Sequence, residues 1–189
     1  IERQPRLLRP VNYPKGTAGN GSYIHTTRAG KKILVINAMA RLYMDPLDDP
    51  FAAVDELVTT HKLAKSVHAI FLDFHGEASS EKMEMAHYLD GRVSAIVGTH
   101  THIPTADAQI FPNGTAYQTD AGMTGDYLSV IGMKPDTPIM RFTRKISLER
   151  LSPTEGEATM CGVLIETDDA TGKAKEIRAV RRGPRLLNA

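Results

Sequence analysis

The chain has 189 residues, 41% hydrophobic and 24% charged, the profile of an ordinary globular protein with room for one sizeable domain. Its 23 basic and 22 acidic residues leave a formal charge of +1, so no global field draws it to nucleic acid or to an anionic membrane. A single cysteine, Cys161, excludes an intrachain disulfide and fits a reducing, cytoplasmic compartment, and no apolar run is long enough for a membrane span.

The opening "IERQPRLLRPVNYPKG" holds three prolines and begins in mid-phrase, as a connection between elements would. "GSYIHTT" alternates and "KKILVINAM" is a β-branched apolar run, so the pair predicts two strands about a turn at "RAGK". In "DPFAAVDELVTTH", Asp49 caps a helix with Pro50 in its first turn, and Phe51, Val54, Leu57, Val58 and His61 share one face. "SVHAIFLDFH" is a buried strand. "ASSEKMEMAHYLDG" is a helix capped by Ser79 or Ser80, with Glu81 and Glu84 near its positive end and Gly91 as its stop. "RVSAIVGTH" is a further buried strand. The order β-α-β-α-β with near-continuous apolar strands predicts a parallel sheet covered by helices.

Past residue 107 the pattern becomes antiparallel. "AQIFPNGTAYQTD" predicts a hairpin about Pro112, Asn113 and Gly114. "DTPIMRFTRKISLERL" alternates like a strand, and "ATMCGVLIETDDATGKAKEIRAVRR" predicts a second hairpin turning at "DDATGK". No linker separates the halves, so residues 1–189 are expected to form one mixed α/β domain.

Of seven histidines, three stand where packing does not explain them. His75 ends one buried strand, and His100 and His102 follow the next. The 25 residues between His75 and His100 suit one helical crossover between neighbouring parallel strands. Ligands of open α/β sheets collect beyond the carboxyl ends of the strands, and residues i and i+2 of an extended segment point the same way. The three imidazoles are therefore expected to converge on metal. Asp73, Glu77, Asp107 and Asp120 lie near them in sequence, and Asp73 shares a strand face with His75. Thr99 and Thr101 are candidates to orient the histidines or a substrate. The glycine-rich "TDAGMTG", with Asp120 and Gly122, is a candidate to line the pocket through its backbone N–H groups. The remaining histidines, His25, His61, His68 and His87, read as surface or packing residues.

"FLDFHGEASSEK", "GRVSAIVGTHTHIPTAD" and "GTAYQTDAGMTG" closely resemble the bacterial YmdB-like metallophosphoesterases, a family of cyclic-nucleotide phosphodiesterases, and "RPVNYPKGTAGNG" and "DPLDDPF" extend the likeness along nearly the whole chain. The resemblance implies an αββα sandwich of calcineurin-like metallophosphoesterase type. It implies two divalent cations (Fe, Mn or Zn), His75 and His100 on one and His102 on the other. It further implies a bridging hydroxide that attacks a phosphodiester, a 2′,3′- or 3′,5′-cyclic nucleotide. The expected partner is that small substrate, with neither membrane nor stable nucleic acid. A homo-oligomer, or association with an N-terminal part, is also expected.

Family members carry an earlier region, with a Gly-Asp motif on its first strand and Glu-Asn and Asn-His motifs after it, that supplies the other ligands and the general acid. No such region precedes the first predicted strand here. Three readings follow: a longer product represented in part and lacking its N-terminal strands, a fragment that pairs with its other half, or a natural short form. On any of them the span as written is expected to turn over weakly. A non-catalytic metal- or nucleotide-binding regulatory module is the alternative function.

Overall fold

The computed structural model describes residues 1–145 and 149–187. Strands β1 (Ser22–Thr26) and β2 (Lys32–Met39) form the predicted antiparallel pair. Helix α1 (Pro50–Thr60) then leads to β3 (Ala69–His75), and helix α2 (Ser79–Leu89) leads to β4 (Ala95–Thr99). β2, β3, β4 and β6 (Ala116–Gln118) run parallel, and β5 (Gln109–Ile110) closes the edge against β6 as the predicted hairpin. The spatial order is β1-β2-β3-β4-β6-β5.

Strand alternation sorts the side chains. Leu34, Ile36 and Ala38 of β2 lie in register with Ile70, Leu72 and Phe74 of β3, and Ile96 and Tyr117 continue the row across β4 and β6. All are buried with Val54 and Val58 of α1 and Met85, Ala86 and Leu89 of α2, so both helices cover this one face. Each large apolar side chain fully withdrawn from water there contributes about 1.5–3 kcal/mol. The other face carries Asn37, Asp73, His75 and Thr99. Asn37 lies opposite Asp73, and His75 opposite Thr99. The carboxyl ends of β3 and β4 thus bring polar groups together on the face that the helices leave free.

α1 begins as its sequence predicts. Asp49 Oδ1 accepts from Phe51 N at 2.9 Å, and Pro50 occupies the first turn, where its missing N–H costs nothing. α2 does not. Its cap is Ala78, without a side-chain hydrogen bond, and Ser79 and Ser80 already lie inside the helix. Glu81 is buried, and its carboxylate accepts from Arg41 N at 2.9 Å and Leu42 N at 3.0 Å, tying down the loop that leaves β2.

A second correction concerns residues 136–144, expected as strand and found as helix α3 (Asp136–Arg144). Pro138 cannot donate to a β-ladder but is tolerated in a first helical turn, with Asp136 at the positive end and Arg141 and Arg144 in the last turn. Residues 146–148 of the expected strand lie outside those described. The predicted C-terminal hairpin is present as β7 (Met160–Thr167) and β8 (Ala174–Arg182). Its turn docks on the main sheet, where Ser94 Oγ donates to Gly172 O at 2.6 Å and Ala174 N to Gly114 O at 2.8 Å. Among the described residues no helix is long and apolar enough to cross a membrane.

β4 approaches the segment after β6 too closely for a side chain at position 98. A Cβ there would overlap the backbone oxygen of Thr119. Gly98→Ala is therefore expected to destabilise the fold by about 3 kcal/mol or more, read as a lower urea midpoint, because backbone rather than a flexible side chain must move.

Candidate metal centre

The chain reverses sharply after β4, and His100 and His102 take φ values of +120° and +67°, conformations costing on the order of 1–3 kcal/mol each. Several peptides around them are tied down. Ala121 N donates to Gly98 O at 2.9 Å, and Thr99 O accepts from Gly76 N at 3.1 Å and from Lys82 Nζ at 2.9 Å. Thr101 N donates to Asp120 Oδ2 at 2.9 Å. His102 O accepts from Met123 N and from the Tyr127 hydroxyl, each at 3.2 Å. At the centre is an ion pair, Lys82 Nζ to Asp120 Oδ2 at 3.2 Å, with side chains 0% and 1% exposed. The second Asp120 oxygen accepts from Gly122 N at 2.9 Å. Burial holds the Tyr127 phenol up at about 12, so it remains a neutral hydrogen-bonding hub beside Cys161.

The ring nitrogens can be assigned from their partners. Thr99 Oγ1 has one proton, and Asp73 Oδ1, 2.9 Å away, can only accept it. His75 Nδ1, 3.0 Å from the same hydroxyl, must then donate to it, which leaves a lone pair on His75 Nε2. Asn37 Nδ2 steadies the other Asp73 oxygen at 2.8 Å. Burial, followed by the neighbouring His100 charge, pushes the His75 pKa below its ordinary value and favours the neutral ring. His100 Nε2 lies 3.1 Å from Glu77 Oε2, an acceptor, so a neutral His100 ring turns its Nδ1 lone pair toward His75, whereas a ring protonated on both nitrogens donates from Nδ1 to His75 Nε2. His75 Nε2 and His100 Nδ1 face each other 3.1 Å apart, within hydrogen-bonding distance. His102 Nδ1 lies 2.8 Å from Ile131 O, also an acceptor, so its Nε2 is free.

The structure thus brings two of the three predicted imidazoles into contact and holds the third at Ile131. Among the described residues no group of three or more His, Cys, Asp or Glu is arranged to hold a metal ion, so the expected three-ring convergence on one centre is not seen. The strained backbone at 100 and 102 aims the two rings at different partners. The donor set nonetheless fits divalent cations. Each histidine has one nitrogen committed to a protein acceptor and the other available, the arrangement found around metal-ligating histidine. Two nitrogens bound at about 2.0–2.1 Å to one ion stand about 3.0–3.4 Å apart, which matches the His75–His100 pair.

The other predicted residues divide. Asp73 and Thr99 set the His75 ring. Asp120 positions the loop and is paired with Lys82. The Thr101 hydroxyl bonds to Ile103, and the Gly122 N–H, expected to face the pocket, is taken by Asp120. Asp107 bonds to Thr119 at 2.5 Å through Oδ2. His68 accepts from Lys32 N, and His87 stacks near Phe111, as packing residues do. Sequence reading missed Lys82, Glu81, Asn37 and Tyr127. The signal available for the first two was a charged pair one turn into a helix whose start faces the carboxyl edge.

A mixed α/β sheet with histidines beyond the carboxyl ends of its parallel strands places them where open α/β folds collect ligands. The comparisons place it more narrowly: the chain belongs to the YmdB-like protein family, whose model matches residues 1–180. It is 48% identical over 181 residues to a 2′,3′-cyclic-nucleotide 2′-phosphodiesterase of Bacillus subtilis (strain 168), covering 95% of this chain and 67% of that protein. A crystal structure of a hypothetical protein from Thermus thermophilus superposes with a TM-score of 0.86 at 40% identity, over 97% of this chain and 70% of that one. A novel phosphatase from Mycoplasma pneumoniae also gives 0.86, at 33% identity, over 96% and 65%. The chain therefore spans about two thirds of the length of these relatives.

Two outcomes follow from the site's supports. Lys82→Met leaves the Asp120 charge buried without its partner and is expected to cost about 3–5 kcal/mol in urea denaturation, partly restored by adding Asp120→Asn. Burial raises the Asp107 pKa, but hydrogen bonds from Thr105 and Thr119 outweigh it and leave the carboxyl below its ordinary 3.8. Its stabilising contribution is then complete above 3.8 and fades as pH falls through the lower folded value. The stability gap between wild type and Asp107→Asn should be widest near neutrality and should shrink in strong acid.

Proposed function

We propose that this chain is the histidine-bearing part of a metal-dependent phosphodiesterase acting on cyclic nucleotides, 2′,3′-cyclic ones first among them. The observation that carries the proposal is the His75–His100 contact. Two ring nitrogens, each with its opposite nitrogen engaged by a protein acceptor, face each other at 3.1 Å, a separation that one divalent cation bound to both neutral rings would span. The 2′,3′ preference rests on the printed activity of the Bacillus subtilis relative.

In this reading His75 Nε2 and His100 Nδ1 hold one cation and His102 Nε2 a second, with Fe, Mn or Zn suited to imidazole. Divalent cations held there supply Lewis acidity, lowering the pKa of water and neutralising charge on phosphoryl oxygens. The chain's own residues do the orienting. Asp73 and Thr99 keep the proton on His75 Nδ1, Glu77 keeps it on His100 Nε2, and the Ile131 carbonyl keeps it on His102 Nδ1. Lys82 and Asp120 hold the strained loop that spaces the rings. Carboxylate ligands and the general acid are assigned to residues beyond the span these histidines occupy.

Calorimetric titration with Mn²⁺, Fe²⁺ and Zn²⁺, together with turnover of 2′,3′- and 3′,5′-cyclic AMP by the natural full-length protein, tests the proposal. His75→Ala or His100→Ala should abolish one binding event and lower turnover by about 10²-fold or more, and Glu77→Gln should weaken that binding event by about 10–100-fold. Metal binding unchanged in both alanine variants would refute the assignment. Intact binding without turnover would reduce the protein to a binding module.

A further inference from the structure

The turn that leaves β2 at the carboxyl edge carries a side chain that neither packing nor backbone geometry favours there. Met44 N donates to Arg41 O at 3.2 Å, closing a tight turn whose third residue, Tyr43, has φ +60°. Glycine or asparagine ordinarily fills such a position, because a larger residue is strained in it. Burial does not offset the strain, since Tyr43 is 89% exposed. Among the described residues neither its ring nor its hydroxyl has a stacking or hydrogen-bond partner. The turn beneath the ring is nonetheless held fast. The buried Glu81 carboxylate accepts from Arg41 N at 2.9 and 3.1 Å and from Leu42 N at 3.0 Å. The same turn adjoins the candidate site. Ala40 N donates to His75 O at 2.8 Å, and a Cβ at Gly76 would overlap the Ala40 side chain. Three Cα steps then keep Tyr43 within about 11 Å of Ala40.

From these observations we infer that Tyr43 is a specificity-determining residue, the ring on which the base of a cyclic-nucleotide substrate stacks while its phosphate lies at His75 and His100. The inference rests on the phosphodiesterase reading above and adds to it the means by which the base is recognised. A single exposed apolar side chain needs no explanation. An aromatic one in a strained, tethered turn beside a ligand-collecting edge does, because strain of this kind persists where the contact it serves is functional. Leu42 and Tyr43 together are far smaller than the roughly 800 Å² per partner of a protein interface, so a small planar ligand fits the feature better than a protein does. Every base has a π-face, so stacking selects nucleotides over base-free phosphodiesters without choosing among bases. Glu81 is a positioning residue in this arrangement, fixing the turn from which the ring projects.

Steady-state kinetics of the natural full-length protein, with 2′,3′-cyclic AMP and with the base-free 2,3-cyclic phosphate of methyl riboside, tests the inference. Tyr43→Ala should raise KM for 2′,3′-cyclic AMP by about 5- to 100-fold with kcat within about twofold, and should leave KM for the base-free ester unchanged. Tyr43→Phe should keep both wild-type values, since the ring face makes the contact. Tyr43→Gly should lose the same discrimination yet unfold at an equal or higher urea midpoint, because glycine adopts positive φ without strain. A loss shared equally by the two substrates overturns the inference. So does a lower urea midpoint in Tyr43→Gly, which would put the ring in a packing contact with the additional length present in the relatives. A wild type that turns over neither substrate sinks the phosphodiesterase reading instead. Calorimetric binding of adenosine 3′-monophosphate then decides the role of Tyr43: binding about fivefold or more weaker in Tyr43→Ala but not in Tyr43→Phe supports stacking, and equal binding in all three proteins overturns it.

Discussion

The Lys82–Asp120 ion pair is the constraint from which the candidate site follows. Isolated charges in a fold's interior are costly, and a buried pair is rarely the most stabilising filling for its volume. This one is completed by further bonds. Lys82 also donates to the Thr99 carbonyl, and Asp120 also accepts from the amides of Thr101 and Gly122. The pair therefore connects α2, the end of β4 and the segment after β6 at one point. A hydrophobic replacement could fill the space but could not hold a peptide amide at a given angle. Holding that angle allows His100 and His102 to stay at positive φ, conformations a free loop would relax.

A division of labour across the sheet follows. One face carries the apolar rows that bind α1 and α2 and supplies most of the burial. The other face, at the same strand ends, carries a polar relay from Asn37 through Asp73 and Thr99 to His75. Because alternate residues of a strand point to opposite faces, Phe74 stabilises the core while Asp73 and His75 on either side of it serve the site. α2 serves both, its apolar residues packing under the sheet while Glu81 and Lys82 brace the loops leaving β2 and β4.

The legible parts of the sequence were those written in periodicity and punctuation. The apolar runs of β2, β3 and β4, the Asp49–Pro50 start of α1 and both Gly-containing hairpins appear as read, because each depends on local patterning. The α2 cap failed because Ser79 and Ser80 are good capping residues that tertiary packing drew inside the helix. The α3 segment failed because short-range alternation imitates a strand, and Pro138 was the clue against a central one. For the candidate site, the contact between His75 and His100 was legible from their places after adjacent strands. The separate orientation of His102 was not, because it depends on a hydrogen bond to Ile131, 29 residues away. Lys82 was hidden for a similar reason: a lysine in an amphipathic helix ordinarily faces water, and its partner Asp120 is 38 residues away.

The central claim is that His75 and His100 share a divalent cation, and anomalous scattering tests it most directly. Crystals grown with Mn²⁺ and measured near the manganese absorption edge should show a peak bonded to both His75 Nε2 and His100 Nδ1, with the Thr99 and Glu77 contacts to the opposite nitrogens retained. A peak elsewhere, or two rings still hydrogen-bonded to each other at saturating metal, would contradict it.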